Sequence, residues 1–164
     1  MDKVEKLQQY PKLIQKLDTW ILIPDRNLIP HLRELADVMK GIYKFDKELV
    51  LFRGFDVKSV QDNMGLTTMP HVGQQVPFKT SDRALSFSKE IGIAKSFGGI
   101  ILASKFKTDQ TDFLDVTPEL VYLVHQERKL SDYKTQHEVI ILPPSEFQST
   151  VVQAQRSPMS WLEW

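Results

Sequence analysis

Three short stretches of this chain place polar side chains where an apolar run begins or ends, and these are the residues that could do chemistry. They are Arg53-Gly54, Ser86-Phe87-Ser88 and Gln136-His137-Glu138. Arg53 follows the apolar run Leu49-Val50-Leu51-Phe52. A guanidinium there either ends a strand in solvent or binds an anion from a rigid base, with Gly54 letting a ligand approach the backbone. Glu138 directly precedes Val139-Ile140-Ile141-Leu142. It is either a solvated strand end or a catalytic carboxylate projecting from a fixed platform. Ser88 has a sufficient local explanation as the N-cap of a helix over residues 89–97, with Glu90 in its first turn. Ser86 lies on the same strand face and has no such explanation.

The elements that must position these groups are legible from patterning. Residues 135–142 read as a strand buried on both faces and ended by Pro143-Pro144, since proline cannot donate to a sheet ladder. Residues 48–55, 83–88, 99–106 and 147–155 read as further strands, with a short extended piece at 113–116. Val4, Leu7, Leu13, Ile14 and Leu17 form one helical stripe broken near Pro11. A second helix fits residues 30–40, with Gly41 just past its end. Thr117-Pro118-Glu119 has the preferences of a third helix start. Residues 56–82 read as a short helix followed by a long polar loop, a kind of segment that is often functional. The N-terminal helices are expected to cover a sheet, and Trp20-Ile21-Leu22-Ile23 either joins that cover or meets a partner.

Composition narrows the function classes. The 164 residues carry 21 Lys plus Arg and 21 Asp plus Glu, so no net positive field draws the chain to nucleic acid. A nucleic-acid target would need a local patch. Cysteine is absent, which excludes disulfides and thiolate zinc sites and suits a reducing, cytoplasmic setting. His31, His71, His125 and His137 show no metal-ligand spacing, so no metal is expected. No apolar run in the sequence is long enough for a membrane span or placed as a signal peptide. A single domain over residues 1–164 is expected, with a helical N-terminal segment over 1–44 and a β-core over 45–164.

In this order and context the three motifs resemble the mono-ADP-ribosyltransferase family, in its arginine–serine–glutamate class of C3-like toxins, phage transferases and vertebrate ecto-enzymes. The similarity runs from about Leu49 to Val152. It includes the segment after Ser88, where the family typically carries Ala and Phe-Gly and this chain has Ala94 and Phe97-Gly98. The resemblance implies an α+β fold whose core is a split, two-sheet β-sandwich covered by N-terminal helices. It also implies NAD+ as co-substrate. Arg53 would pair with the NAD+ phosphates, and the backbone of Gly54 would meet the nicotinamide carboxamide. Ser86 would orient Glu138, and Glu138 would hold the nicotinamide ribose and stabilise positive charge as the glycosidic bond breaks. Phe97 would line the nicotinamide side of the pocket.

Two departures shape the expected substrate. The middle residue of the serine motif is Phe87, where the class often has threonine; its side chain is expected on the core face. Gln136 stands where arginine-modifying members carry a second glutamate, so it lacks the charge that would attract or deprotonate a guanidinium. With Tyr133 at the position of a target-recognising aromatic, the resemblance points to C3-like enzymes and to an acceptor other than arginine, either another side chain or a nucleic-acid base. A toxin or phage effector restrained by an antitoxin or immunity protein fits this outline. An NAD+ glycohydrolase and an inactive binding module on the same fold are the alternatives.

Overall fold

The computed structural model describes residues 1–44, 47–80, 82–107, 112–128 and 138–155. The helical stripe near the start is divided where Pro11 begins a new helix, giving α1 (Lys3–Leu7) and α2 (Pro11–Leu22). A 3-10 turn over Arg26–Leu28 leads into α3 (Ile29–Ile42). That helix runs through Gly41, which was expected just past its end. Strand β1 (Glu48–Phe55) is followed by α4 (Val57–Met64), whose N-cap Asp56 accepts from the backbone N–H of Ser59. Next come β2 (Gln75–Thr80), β3 (Leu85–Ser88), α5 (Ile91–Ala94) with a 3-10 turn over Lys95–Phe97, and β4 (Ile100–Lys107). The chain continues with β5 (Phe113–Asp115), α6 (Pro118–Arg128), β6 (Glu138–Ile141) and β7 (Ser145–Ala154).

The fold is α+β, with one seven-stranded antiparallel sheet in the order β2-β7-β4-β1-β3-β6-β5. The resemblance implied two sheets; the described strands form one, and its continuity is slender. β1 pairs with β4 along all eight residues but touches β3 at a single position, Phe52 opposite Ser88. The sheet curves strongly between β7 and β3. Phe147 of β7 and Phe87 of β3 have ring centroids 5.8 Å apart, although strands three places apart in a flat sheet would lie about 14 Å from one another. Phe87, Phe106, Phe113, Val139 and Leu51 fill the inside of the curve as one apolar cluster.

The opposite face of β5 and β6 is covered by the N-terminal helices. Leu114, Ile140 and Leu142 pack with Leu17, Leu32 and Leu35 from α2 and α3, and with Leu120 and Val124 from α6. The helices therefore cover the sheet as their stripes suggested. A third cluster, with Val60, Val76, Phe78 and Val151, lies under α4. Strand β2 falls within the stretch read as a polar loop. Its burial alternates strictly, with Val76, Phe78 and Thr80 inward, and as an edge strand it tolerates Pro77.

Candidate functional site

A cleft of about 820 Å³ opens beside the junction of β1 and β3. This is within the ordinary size of small-molecule sites. Arg53, Ser86, Phe97 and Glu138 all line it. Arg53, Ser86 and Glu138, one from each of the three motifs and distant along the chain, therefore meet in one place.

Glu138 is the first residue of β6 and pairs with Ser88 on β3. Ser86 and Ser88 share the strand face of Glu138, and the Ser86 hydroxyl donates to Glu138 Oε1 at 2.6 Å. Glu138 as a residue is buried, with 8% exposure, and this charge-assisted bond fixes its carboxylate. Phe87 points the other way into the aromatic cluster, as its position in the alternation requires.

Arg53 donates from Nη1 to the Ser86 carbonyl at 2.7 Å. Its guanidinium lies 4.7 Å from the Phe97 ring centroid and 5.5 Å from that of Phe55. Desolvation pulls its pKa below the ordinary arginine value, and the charge of Glu138 pushes it back up. Arginine stays protonated regardless. Its Nε is buried with no hydrogen-bond partner among the described residues. A buried, charged donor without an acceptor is costly, and this one is closed off from the cleft as the side chain stands.

Gly54 is beside Arg53 but is explained differently. A Cβ built there would sit 2.0 Å from the Ala94 carbonyl oxygen and 3.0 Å from that of Gly98. Packing of the α5 turn against β1 therefore demands glycine. Ser88 also differs from expectation. It stays in β3 through its pairing with Glu138, and its Oγ accepts from the Glu90 N–H at 3.0 Å. The helix starts later, at Ile91, and is shorter than residues 89–97 because Lys95–Phe97 tightens into a 3-10 turn. Tyr133 and Gln136, the expected target-recognition residues, lie outside the described residues.

The cleft's outer wall comes from a stretch that sequence patterning assigned either to covering the sheet or to meeting a partner, and not to the site. Trp20, Ile23, Asp25 and Arg26 line it from the end of α2 and the turn that follows. Arg26 reaches Asp82, ahead of β3, at 3.5 Å across exposed surface. A second missed feature is the ion pair of Lys89 with Asp115, at 2.8 and 3.0 Å to its two carboxylate oxygens. The available signal was an acid inside the apolar run Phe113-Leu114-Asp115-Val116, since a buried acid needs a partner.

No protein-family model, no curated protein and no solved structure matches this chain. Among the described residues no helix is long and apolar enough to cross a membrane.

Proposed function

We propose that this protein is a mono-ADP-ribosyltransferase of the arginine–serine–glutamate class, transferring ADP-ribose from NAD+ to a macromolecular acceptor other than arginine and releasing nicotinamide. One observation carries the reading: a carboxylate, a hydroxyl bonded to it at 2.6 Å and a guanidinium bonded to that hydroxyl's own residue share a single cleft. The Arg53 cation in the cleft lining supports an anionic ligand, and the cleft is large enough for a dinucleotide-sized one.

The chemistry asks little of the protein beyond charge and position. As the bond between the ribose C1′ and the nicotinamide nitrogen breaks, its electron pair leaves with nicotinamide, whose ring becomes neutral. Positive charge then develops on the ribose. Glu138 stabilises that charge, and its advantage is greatest in the transition state because the charge is greatest there. Ser86 holds the carboxylate in one rotamer, so no reorganisation is needed when the charge appears. Arg53 holds the diphosphate, for which its planar fork of donors is suited. The acceptor's lone pair closes the new bond to C1′ and its proton is lost to solvent or a nearby base.

The deciding experiment supplies NAD+ labelled in nicotinamide and follows release by the wild type and by Glu138→Gln. The variant should be slower by about 100- to 1000-fold. Equal rates would remove Glu138 from the mechanism and sink the proposal. Parallel labelling in the adenylate, with a cell extract as acceptor source, separates transfer from hydrolysis: label on macromolecules marks a transferase, and free ADP-ribose alone marks a glycohydrolase.

A further inference from the structure

Glu138 begins its strand, so its carboxylate is only as fixed as the backbone at that end of β6. Two neighbours hold this backbone. On one side Ser88 of β3 pairs with Glu138. On the other, the Val116 N–H just past β5 donates to the Glu138 carbonyl at 3.1 Å. The residues adjoining those two contacts are Lys89 and Asp115, and they form a bidentate ion pair at 2.8 and 3.0 Å.

The pair thus joins β3 to β5 across the first residues of the strand between them. Asp115 stands opposite Val139. By strand alternation its side chain leaves the sheet on the face away from the Glu138 carboxylate. Lys89 reaches it from just past the end of β3. Asp115 is buried while Lys89 is about one-third exposed, so the contact is far less screened than a surface pair. Neither residue lines the cleft.

We infer that Lys89 and Asp115 are positioning residues for Glu138: their ion pair behind the sheet clamps the two strands that flank it and so sets where the carboxylate stands. They act through backbone placement and touch no substrate. The kinetic consequence rests on the role proposed for Glu138; the mechanical one does not.

The test uses the full chain with Asp115→Asn, Lys89→Met and Lys89→Arg, and reads two quantities. Amide hydrogen exchange should speed up at Val116 in Asp115→Asn and Lys89→Met, while amides along the β1–β4 ladder stay at wild-type rates. Nicotinamide release should lose about 10- to 100-fold in kcat, the cost of a small misplacement, with KM for NAD+ within about twofold. Lys89→Arg should restore both. Wild-type exchange at Val116 in Asp115→Asn overturns the inference, and so does an unchanged kcat in either disrupting variant of an active enzyme. Should the wild type release no nicotinamide, the role of Glu138 falls, while the exchange comparison still decides whether the pair holds β6 in place. Lys89→Met leaves a buried carboxylate without its cation and could unfold the chain; the isosteric Asp115→Asn then carries the test.

Discussion

The Ser86 hydroxyl donates a 2.6 Å hydrogen bond to Oε1 of Glu138, fifty-two residues further along the chain. The two residues are diagonal neighbours on paired strands, since Ser86 stands opposite Ile140 and Glu138 opposite Ser88. A one-residue slip of β6 would send the carboxylate to the other face of the sheet. Register prevents this, because Val139 and Ile141 must enter the aromatic cluster while Ile140 packs beneath the helices. The apolar pattern of the strand therefore aims its only acid.

Ser86→Ala removes the bond and keeps the acid. A hydrogen bond to a charged group contributes about 1.5–3 kcal/mol, so kcat for nicotinamide release should fall by about 10- to 100-fold. KM for NAD+ should change much less, because the serine side chain acts on Glu138. Steady-state kinetics beside Glu138→Gln check this. A Ser86→Ala enzyme as fast as wild type would show that the carboxylate holds its place unaided.

Arg53→Lys keeps the charge but removes Nε and the planar fork. The orphaned donor and the stacking on Phe97 are both lost. Affinity for NAD+ should drop by about 10- to 100-fold, the equivalent of one charge-assisted bond. Phe97→Leu removes only the ring and should weaken binding by about two- to fivefold. Calorimetric titration of NAD+ against both variants orders them. If Phe97→Leu proved the more damaging, the ring would be binding the ligand directly and not through Arg53.

The central strands and the site's three polar groups were legible because local chemistry wrote them. β1 spans the whole of residues 48–55 as read, and the acid before Val139 opens β6. What stayed hidden depended on assembly. Pro77 and alternating polar residues disguised β2, whose place at a sheet edge no local pattern reveals. Ser88 looked like a helix cap until strand pairing claimed it. The cleft's outer wall comes from α2 and the turn after it, which touch the site only because the helices pack on β5 and β6. Lys89 and Asp115 likewise meet only once β6 has inserted between their strands.

Alkaline stability should report on Tyr43, which joins the end of α3 to the start of α6 through a 2.9 Å bond with the Thr117 hydroxyl. Desolvation pushes its phenol up from 10.0 to about 12, while the bond to Thr117 pulls the other way. Below pH 10 the phenol is neutral in both states and its contribution is complete. Between pH 10 and about 12 the unfolded chain ionises first, so stability is lost as pH rises through that window. Urea midpoints of the wild type should fall more steeply than those of Tyr43→Phe above pH 10. Parallel curves would show that Tyr43 does not drive the loss.

Gly54 has two competing explanations, and a pair of substitutions separates them. Its Cβ would meet the Ala94 carbonyl oxygen at 2.0 Å, a backbone atom that cannot swing aside. Gly54→Ala should therefore cost about 1–3 kcal/mol or more by overpacking. It should also push the α5 turn outward, carrying Phe97 away from Arg53 and weakening NAD+ binding. Gly92→Ala lies in the same turn with nothing within 4 Å of its Cβ, so it should be neutral or stabilising by up to ~1 kcal/mol. Thermal melts and NAD+ titrations of both variants give the comparison. If Gly54→Ala melts like wild type yet binds NAD+ poorly, packing is not what requires glycine there, and close approach of the ligand to the backbone is.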